Sequence, residues 1–267
     1  MKRRDVLKTM AIAGLAAGAE ATMAKAATTA QTFVLVHGAW HGGWCWSRVA
    51  DRLRGAGHRV FAPTQSGLGE RQHLLSKDIT LDTFTSDIVN VVEAEELSDI
   101  ILVGHSFGGN AISGTADAIP GKIRHLVYLD SLMVDAGKAP FDNLPPDVVA
   151  ARRKAADETS GGLSLPAPPP SAFGVSDASD TEWVKRRLTP HPLGTYTSKL
   201  NIKGPVGNHL PRTYIACTSP SYAALQASRD WVKAREGWRW AEIATGHDAM
   251  VMAPDELTRM LIDVANV

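Results

Sequence analysis

Ile100-Ile101-Leu102-Val103-Gly104-His105-Ser106-Phe107-Gly108-Gly109 is the stretch from which the fold of this chain is read. Its first four residues are apolar and mostly β-branched, the composition of a fully buried strand. Gly104 to Gly108 then fits G-x-S-x-G, and the small residues of 110–118 (NAISGTADA) suit a helix packed closely on a sheet. Strand, sharp turn and helix in that order hold a serine in a strained backbone conformation, with its Oγ above the sheet edge. Gly104 and Gly108 leave room where a side chain would strike the neighbouring strand or helix. The helix N-terminus aims its dipole and free N–H groups at Ser106, which favours an oxyanion there. The motif alone also occurs in ordinary glycine-rich turns, so its weight comes from its flanks and from partners elsewhere in the chain.

Strands and helices alternate outward from this stretch. Residues 32–36 (TFVLV) read as a buried strand. Residues 44–54 have helical spacing, with Trp46, Val49, Ala50 and Leu53 on one side and Gly55 and Gly57 as a stop. A short strand at 59–62 closes at Pro63, and 65–70 (QSGLGE) reads as a polar loop. Residues 81–95 form a helix with Phe84, Ile88, Val91 and Val92 facing in. Further strands fall at 123–129, 212–217 and 238–243, with helices at 222–235 and 254–265. This pattern predicts an α/β fold, a mostly parallel, doubly wound sheet with helices on both faces.

Residues 131–210 break the rhythm. They include Pro145-Pro146 and a proline run from Pro166 to Pro170, with helices expected near 146–158 and 180–187. An insertion this long, between the strand ending near Asp130 and the strand starting near Arg212, is a cap or lid rather than a loop. The expected division is 1–26 as a leader, 27–130 and 211–267 as two parts of one core, and 131–210 as the cap.

The chain has 267 residues with 28 basic and 28 acidic side chains, so its charge points to neither nucleic acid nor an anionic surface as a partner. Residues 1–8 (MKRRDVLK) are basic with paired arginines, 9–19 are small and apolar, and Ala24-Lys25-Ala26 has the form of a cleavage site. This is the pattern of a twin-arginine export signal, which implies a periplasmic or secreted protein. The apolar run is too short for a permanent membrane anchor. Cys45 and Cys217 read as small buried apolar groups, not as a disulfide framework. The nine histidines show no metal-ligand spacing, and no phosphate-cradling loop is present. Neither a metal nor a cofactor is expected, and the oligomeric state is left open.

Serine needs a base to become a nucleophile. His247 lies in Ala244-Thr245-Gly246-His247-Asp248, between the last strand and the last helix. That loop belongs to the same sheet edge as Ser106, since loops after parallel strands gather at their C-terminal ends. A carboxylate must then orient the imidazole. The loop after the fifth strand, Cys217-Thr218-Ser219-Pro220-Ser221-Tyr222, has no acid, and the next aspartate, Asp230, is inside a helix. Asp130, at the end of the fourth strand, is preferred. Asp248 is the second choice, because its adjacency to His247 makes a ring-facing geometry difficult. The expected oxyanion donors are the N–H of Phe107 and that of Ala39, where Gly38 lets the backbone come close. His37 and His41 flank that loop and read as structural hydrogen-bonders.

These motifs carry a resemblance. Residues 33–46 (FVLVHGAWHGGWCW), Ala56-Gly57-His58, Gly104-His105-Ser106-Phe107-Gly108-Gly109 and Gly246-His247 resemble the α/β-hydrolase superfamily. Within it, the chain is similar to the branch holding plant hydroxynitrile lyases, methyl-ester hydrolases and bacterial esterases. The likeness covers about 32–118 well and 212 onward more loosely, and the cap matches poorly. The missing acid after the fifth strand departs from the common pattern. Some bacterial members that hydrolyse carbamate and ester xenobiotics share a Tyr-Leu-Asp after the fourth strand. They also share stretches like 68–71 (LGER) and 188–193 (LTPHPL), which favours Asp130. Cyanohydrin-cleaving members carry a hydroxyl residue in place of Gly38 and a lysine after the catalytic histidine, where this chain has Asp248. The resemblance therefore implies an α/β-hydrolase fold and a serine hydrolase of small-molecule esters, extending to activated amides or carbamates. Cleavage of the lyase type on the same scaffold and a slow-turnover ligand sensor are the two rival readings. Phe141, Phe173, Trp183 and Tyr196 of the cap are candidates to line an apolar pocket.

Overall fold

The computed structural model describes residues 30–265. The expected leader at 1–26, and with it the export signal, lies outside the described residues. The core opens with β1 (Thr32–Val36), α1 (Ser47–Gly55) and β2 (Arg59–Phe61), then α2 (Leu81–Ala94), β3 (Ile100–His105), α3 (Gly108–Ala118) and β4 (Ile123–Leu129). The insertion holds α4 (Pro146–Ser160), β5 (Ser164–Leu165), α5 (Ala178–Lys185), β6 (His191–Pro192) and α6 (Leu193–Thr197). The chain returns to the core as β7 (Arg212–Cys217), α7 (Gln226–Lys233), β8 (Arg239–Ile243), α8 (Ala249–Met252) and α9 (Pro254–Ala265).

Six strands form one sheet in the order β2-β1-β3-β4-β7-β8, and every neighbouring pair is parallel. From β1 the chain moves one way to β2 and then crosses to β3 on the other side. A crevice opens at such a reversal, outside the C-terminal ends of the strands. The loops after β1 and β3 meet there.

All six residues of β3 are buried, as its apolar run requires. The helix α2 buries Leu81, Phe84, Ile88 and Val92, an i, i+3, i+4 stripe facing α3. The small residues of α3 allow that close approach. A Cβ on Gly108 would lie 2.6 Å from the His37 carbonyl oxygen, so the helix start presses directly on the chain leaving β1.

Several boundaries differ from expectation. The helix expected from 44 begins as a 3-10 turn, Gly43–Trp46, and α1 runs through Gly55, which has open space around it and costs the helix no contact. The polar loop at 65–70 runs into a 3-10 turn, Gly69–Leu74. The helix α3 starts two residues early, at the motif itself. Residues 222–235 divide into a 3-10 turn, Ala223–Leu225, and α7. The antiparallel pair β5/β6 has two residues per strand, too few to show a period in sequence. Cys45 and Cys217 are free and buried.

Candidate active site

Ser106 sits at the strand-to-helix turn with φ of 53°, a left-handed conformation for a residue with a side chain. Three backbone bonds hold it there. Its N–H donates to the Leu129 carbonyl at 3.0 Å, and its carbonyl accepts from Gly109 at 3.2 Å and Leu132 at 3.0 Å. The neighbouring strand β4 and the chain leaving it therefore stabilise a turn that costs about 1–3 kcal/mol alone. The side chain is half-buried and lines a cavity.

The Ser106 hydroxyl is 2.9 Å from His247 Nε2, and His247 Nδ1 is 2.7 Å from Asp130 Oδ2. Nδ1–H donates to the carboxylate, so Nε2 is free to accept from the hydroxyl. Asp130 is fully buried, at a φ of 40°, one residue past β4. Its second oxygen accepts from Arg229 Nη2 at 2.9 Å and from the Cys217 N–H at 3.4 Å. Arg229 is itself 5 % exposed and also donates to the Cys217 and Tyr222 carbonyls. Of the other acids, Asp230 is exposed and accepts from Gln226 on its own helix. Asp248 faces His41, not the ring of His247.

The loop after β7, which holds no acid, supplies a ring instead. Tyr222 lies against the His247 imidazole with centroids 4.5 Å apart. From β3, His105 donates from Nε2 to the His247 carbonyl at 3.0 Å. Burial first, then the charges of His247 and His41, push the His105 pKa well down, so it stays neutral.

The loop after β1 comes close to Ser106. A Cβ on Gly38 would lie 2.8 Å from the Ser106 Cβ, closer than side chains tolerate. Among the described residues, the Ala39 and Phe107 amides donate to no protein acceptor. His37 braces the loop: Nε2 accepts from the Gln65 N–H at 3.0 Å, so Nδ1–H donates to the Gly38 carbonyl at 2.8 Å. Burial lowers its pKa to about 3, against the Gly38 hydrogen bond. On the far side His41 donates from Nδ1 to the Ala39 carbonyl at 2.8 Å, and its Nε2 is 3.1 Å from Asp248 Oδ2. Burial would lower the His41 pKa, but the Asp248 charge and hydrogen bond and the Ala39 carbonyl together raise it. The buried His41–Asp248 pair thus ties the Ala39 loop to the His247 loop.

Trp40, with φ of 64°, is bound to the insertion at three points. Its N–H donates to His191 Nδ1 at 3.3 Å, its carbonyl accepts from the Thr189 N–H at 3.0 Å, and its indole N–H donates to the Leu165 carbonyl at 3.2 Å. The cavity beside Ser106, about 30 Å³, is walled by Trp40, Phe107, Phe173, Tyr196 and Tyr222, with Arg152. Two of the four aromatic candidates in the insertion are therefore in the lining. Phe141 packs behind Tyr196 at 5.2 Å, and Trp183 packs on Trp44 at 5.1 Å, outside the cavity. A larger groove of about 720 Å³, lined by Pro168, Pro170 and Lys185, holds none of Ser106, His247 and Asp130. Arg229, His191, Trp40 and Arg152 were not singled out in the sequence; each acts through a contact distant in the chain.

A fully formed serine–histidine–aspartate chain on this sheet defines a class, and comparison with known proteins names it. The chain belongs to the α/β hydrolase family, whose model matches residues 33–260. It is 41 % identical over 237 residues, 86 % of this chain and 97 % of the relative, to a carbendazim-hydrolyzing esterase of Nocardioides sp. (strain SG-4G). It is 37 % identical over 109 residues to an alpha-hydroxynitrile lyase of Arabidopsis thaliana, covering 40 % of this chain and 42 % of that one. Among solved structures, an extracellular α/β-hydrolase from a Paenibacillus species superposes with a TM-score of 0.75 at 23 % identity, covering 88 % of this chain and 98 % of that one.

Proposed function

We propose that this protein is a carboxylesterase-type serine hydrolase that cleaves esters of small, apolar or aromatic molecules through an acyl-enzyme. The observation that carries the reading is the hydrogen-bonded chain Ser106–His247–Asp130. Ser106 Oγ attacks the ester carbonyl carbon while His247 Nε2 takes its proton. Asp130 keeps Nδ1 protonated and stabilises the imidazolium that forms. The Ala39 and Phe107 N–H groups receive the oxyanion, each worth about 3–4 kcal/mol in the transition state. The C–O bond of the tetrahedral adduct breaks, and His247 returns the proton to the departing alcohol. Water, deprotonated by His247, then attacks the acyl carbon and frees Ser106 and the acid. The insertion acts as the cap that walls the acyl pocket.

The 41 % identity to an esterase favours esters, with carbamates as a second substrate class. Lyase chemistry is disfavoured by Gly38, where the hydroxyl residue expected of cyanohydrin cleavage would collide with Ser106. Asp248 weighs less than its sequence position suggests, because its carboxylate is buried and paired with His41. The test is turnover of p-nitrophenyl, aryl and methyl esters and of methyl carbamates, with Ser106→Ala as the blank. Ser106-dependent, multiple-turnover hydrolysis is expected. Wild-type rates in Ser106→Ala would refute the nucleophile, and a single turnover without recovery would favour the sensor.

A further inference from the structure

Arg152 projects from α4 of the insertion into the wall of the Ser106 cavity. Among the described residues it is the one charged side chain in that wall, which apart from Ser106 is otherwise aromatic and aliphatic. It is half-buried, and no carboxylate among the described residues forms an ion pair with it. Its guanidinium instead lies by the Tyr196 ring, 5.4 Å from the centroid, and shares a hydrogen bond with the Tyr196 hydroxyl. The flanking residue behaves differently: Arg153 is exposed and lies over Phe141. Asp147, a turn and a half earlier on α4, lines a neighbouring cavity without pairing to Arg152.

That neighbouring cavity, about 440 Å³, lies on the other side of the same wall. Trp40, Arg152 and Tyr222 line both spaces and form the neck between them. The inner space of about 30 Å³ holds little more than the scissile group, so the rest of a substrate extends towards the neck. A guanidinium has five N–H donors, and those that the Tyr196 hydroxyl does not use recognise oxygen acceptors, carboxylates best of all. Arg152 also carries partial desolvation in the free protein, which an anionic ligand would offset.

We infer that Arg152 is a specificity-determining residue that binds a second, anionic acceptor group on the substrate, so that aromatic esters bearing a carboxylate are preferred over their hydrocarbon isosteres. The inference rests on the esterase reading. Trp40 and Tyr222 flank the aromatic part, and Arg152 meets the carboxylate at the neck.

The test compares kcat/KM for methyl benzoates carrying, at ring position three or four, either a carboxylate or a methyl group. In the wild-type protein the better carboxylate isomer is expected to exceed its methyl counterpart by about tenfold or more, the scale of a hydrogen bond to a charged group. Arg152→Met should reduce that ratio at least about tenfold, and Arg152→Lys should restore part of it, because charge survives while the bidentate edge is lost. Circular dichroism confirms that the variants fold. A wild-type ratio near one for both isomers, or an equal ratio in Arg152→Met, would overturn the assignment. If the wild-type protein cleaves no ester at all, the esterase reading fails separately. Arg152 is then read by calorimetry of the carboxylate esters on Ser106→Ala protein. Binding at least about tenfold weaker in Ser106→Ala/Arg152→Met supports the site, and equal or absent binding in both overturns it.

Discussion

Asp130 accepts hydrogen bonds from His247 at 2.7 Å and from Arg229 at 2.9 Å, all three groups being buried. The two oxygens have separate tasks: Oδ2 orients the imidazole, and Oδ1 anchors the carboxylate to α7. Asp130→Asn should lower kcat by roughly 10⁴, since the amide leaves His247 free to adopt the wrong tautomer. A loss below about tenfold in steady-state assays would remove Asp130 from the role. Arg229→Met should destabilise the fold by about 3–5 kcal/mol in denaturant titration, the cost of leaving a buried charge without its partner. Asp130 was legible in the chain as a candidate because it ends a strand and the usual position held no acid. Arg229 was not, because an arginine on an amphipathic helix reads as solvent-facing until β4 and β7 are placed beside it.

The loop after β1 shows how one element is shaped by another. Trp40 is held at a positive φ by His191, Thr189 and Leu165, all from the insertion and all more than a hundred residues away. Its neighbour Ala39 is the proposed oxyanion donor, so the insertion sets the aim of that N–H. His191 Nε2 donates to Thr195 Oγ1 at 2.8 Å while Thr195 donates to the Pro192 carbonyl at 2.9 Å, which fixes the tautomer that accepts from Trp40. His191→Ala should therefore lower kcat by about tenfold or more, less than the 10²–10³ lost with an oxyanion donor outright. An unchanged kcat would mean that the loop holds its shape without the insertion. Gly38 in the chain announces a close loop, but no local signal ties Trp40 to residues of the insertion more than a hundred positions away.

Six buried histidines whose proton affinity is displaced give the molecule a pH response. Burial, foremost, pushes His37 down to about 3, His125 down to about 4, His105 and His191 well below their ordinary value of 6.5, and His58 below it as well. These rings stay neutral in the fold but take up protons when unfolded, so their stabilising effect is lost as pH falls below 6.5. His41 is raised and has the opposite sign: its contribution is full below 6.5 and fades as pH rises through its folded value. Five against one, the acid side dominates. Stability in denaturant is expected to drop from pH 7 to pH 5, each neutral ring adding up to about 1.4 kcal/mol per pH unit. His191→Ala should make that slope shallower, and an unchanged slope would assign the proton uptake elsewhere.

The chain by itself determined the parallel sheet, the serine turn after β3, the histidine before the last helix and the preference for Asp130. These are local signals: apolar runs, glycine spacing and the position of a residue at a strand end, all set by short-range sterics and burial. Tertiary structure alone decided that Asp248 serves His41 rather than His247, that Arg229 anchors Asp130, that Trp40 is held by the insertion, and that Phe173 and Tyr196 face Ser106 while Trp183 does not. In each case the partners lie far apart in the chain. A side chain's periodicity reports that it is buried but not what it is buried against. Which charge meets which ring depends on how the crossovers bring the loops to one sheet edge.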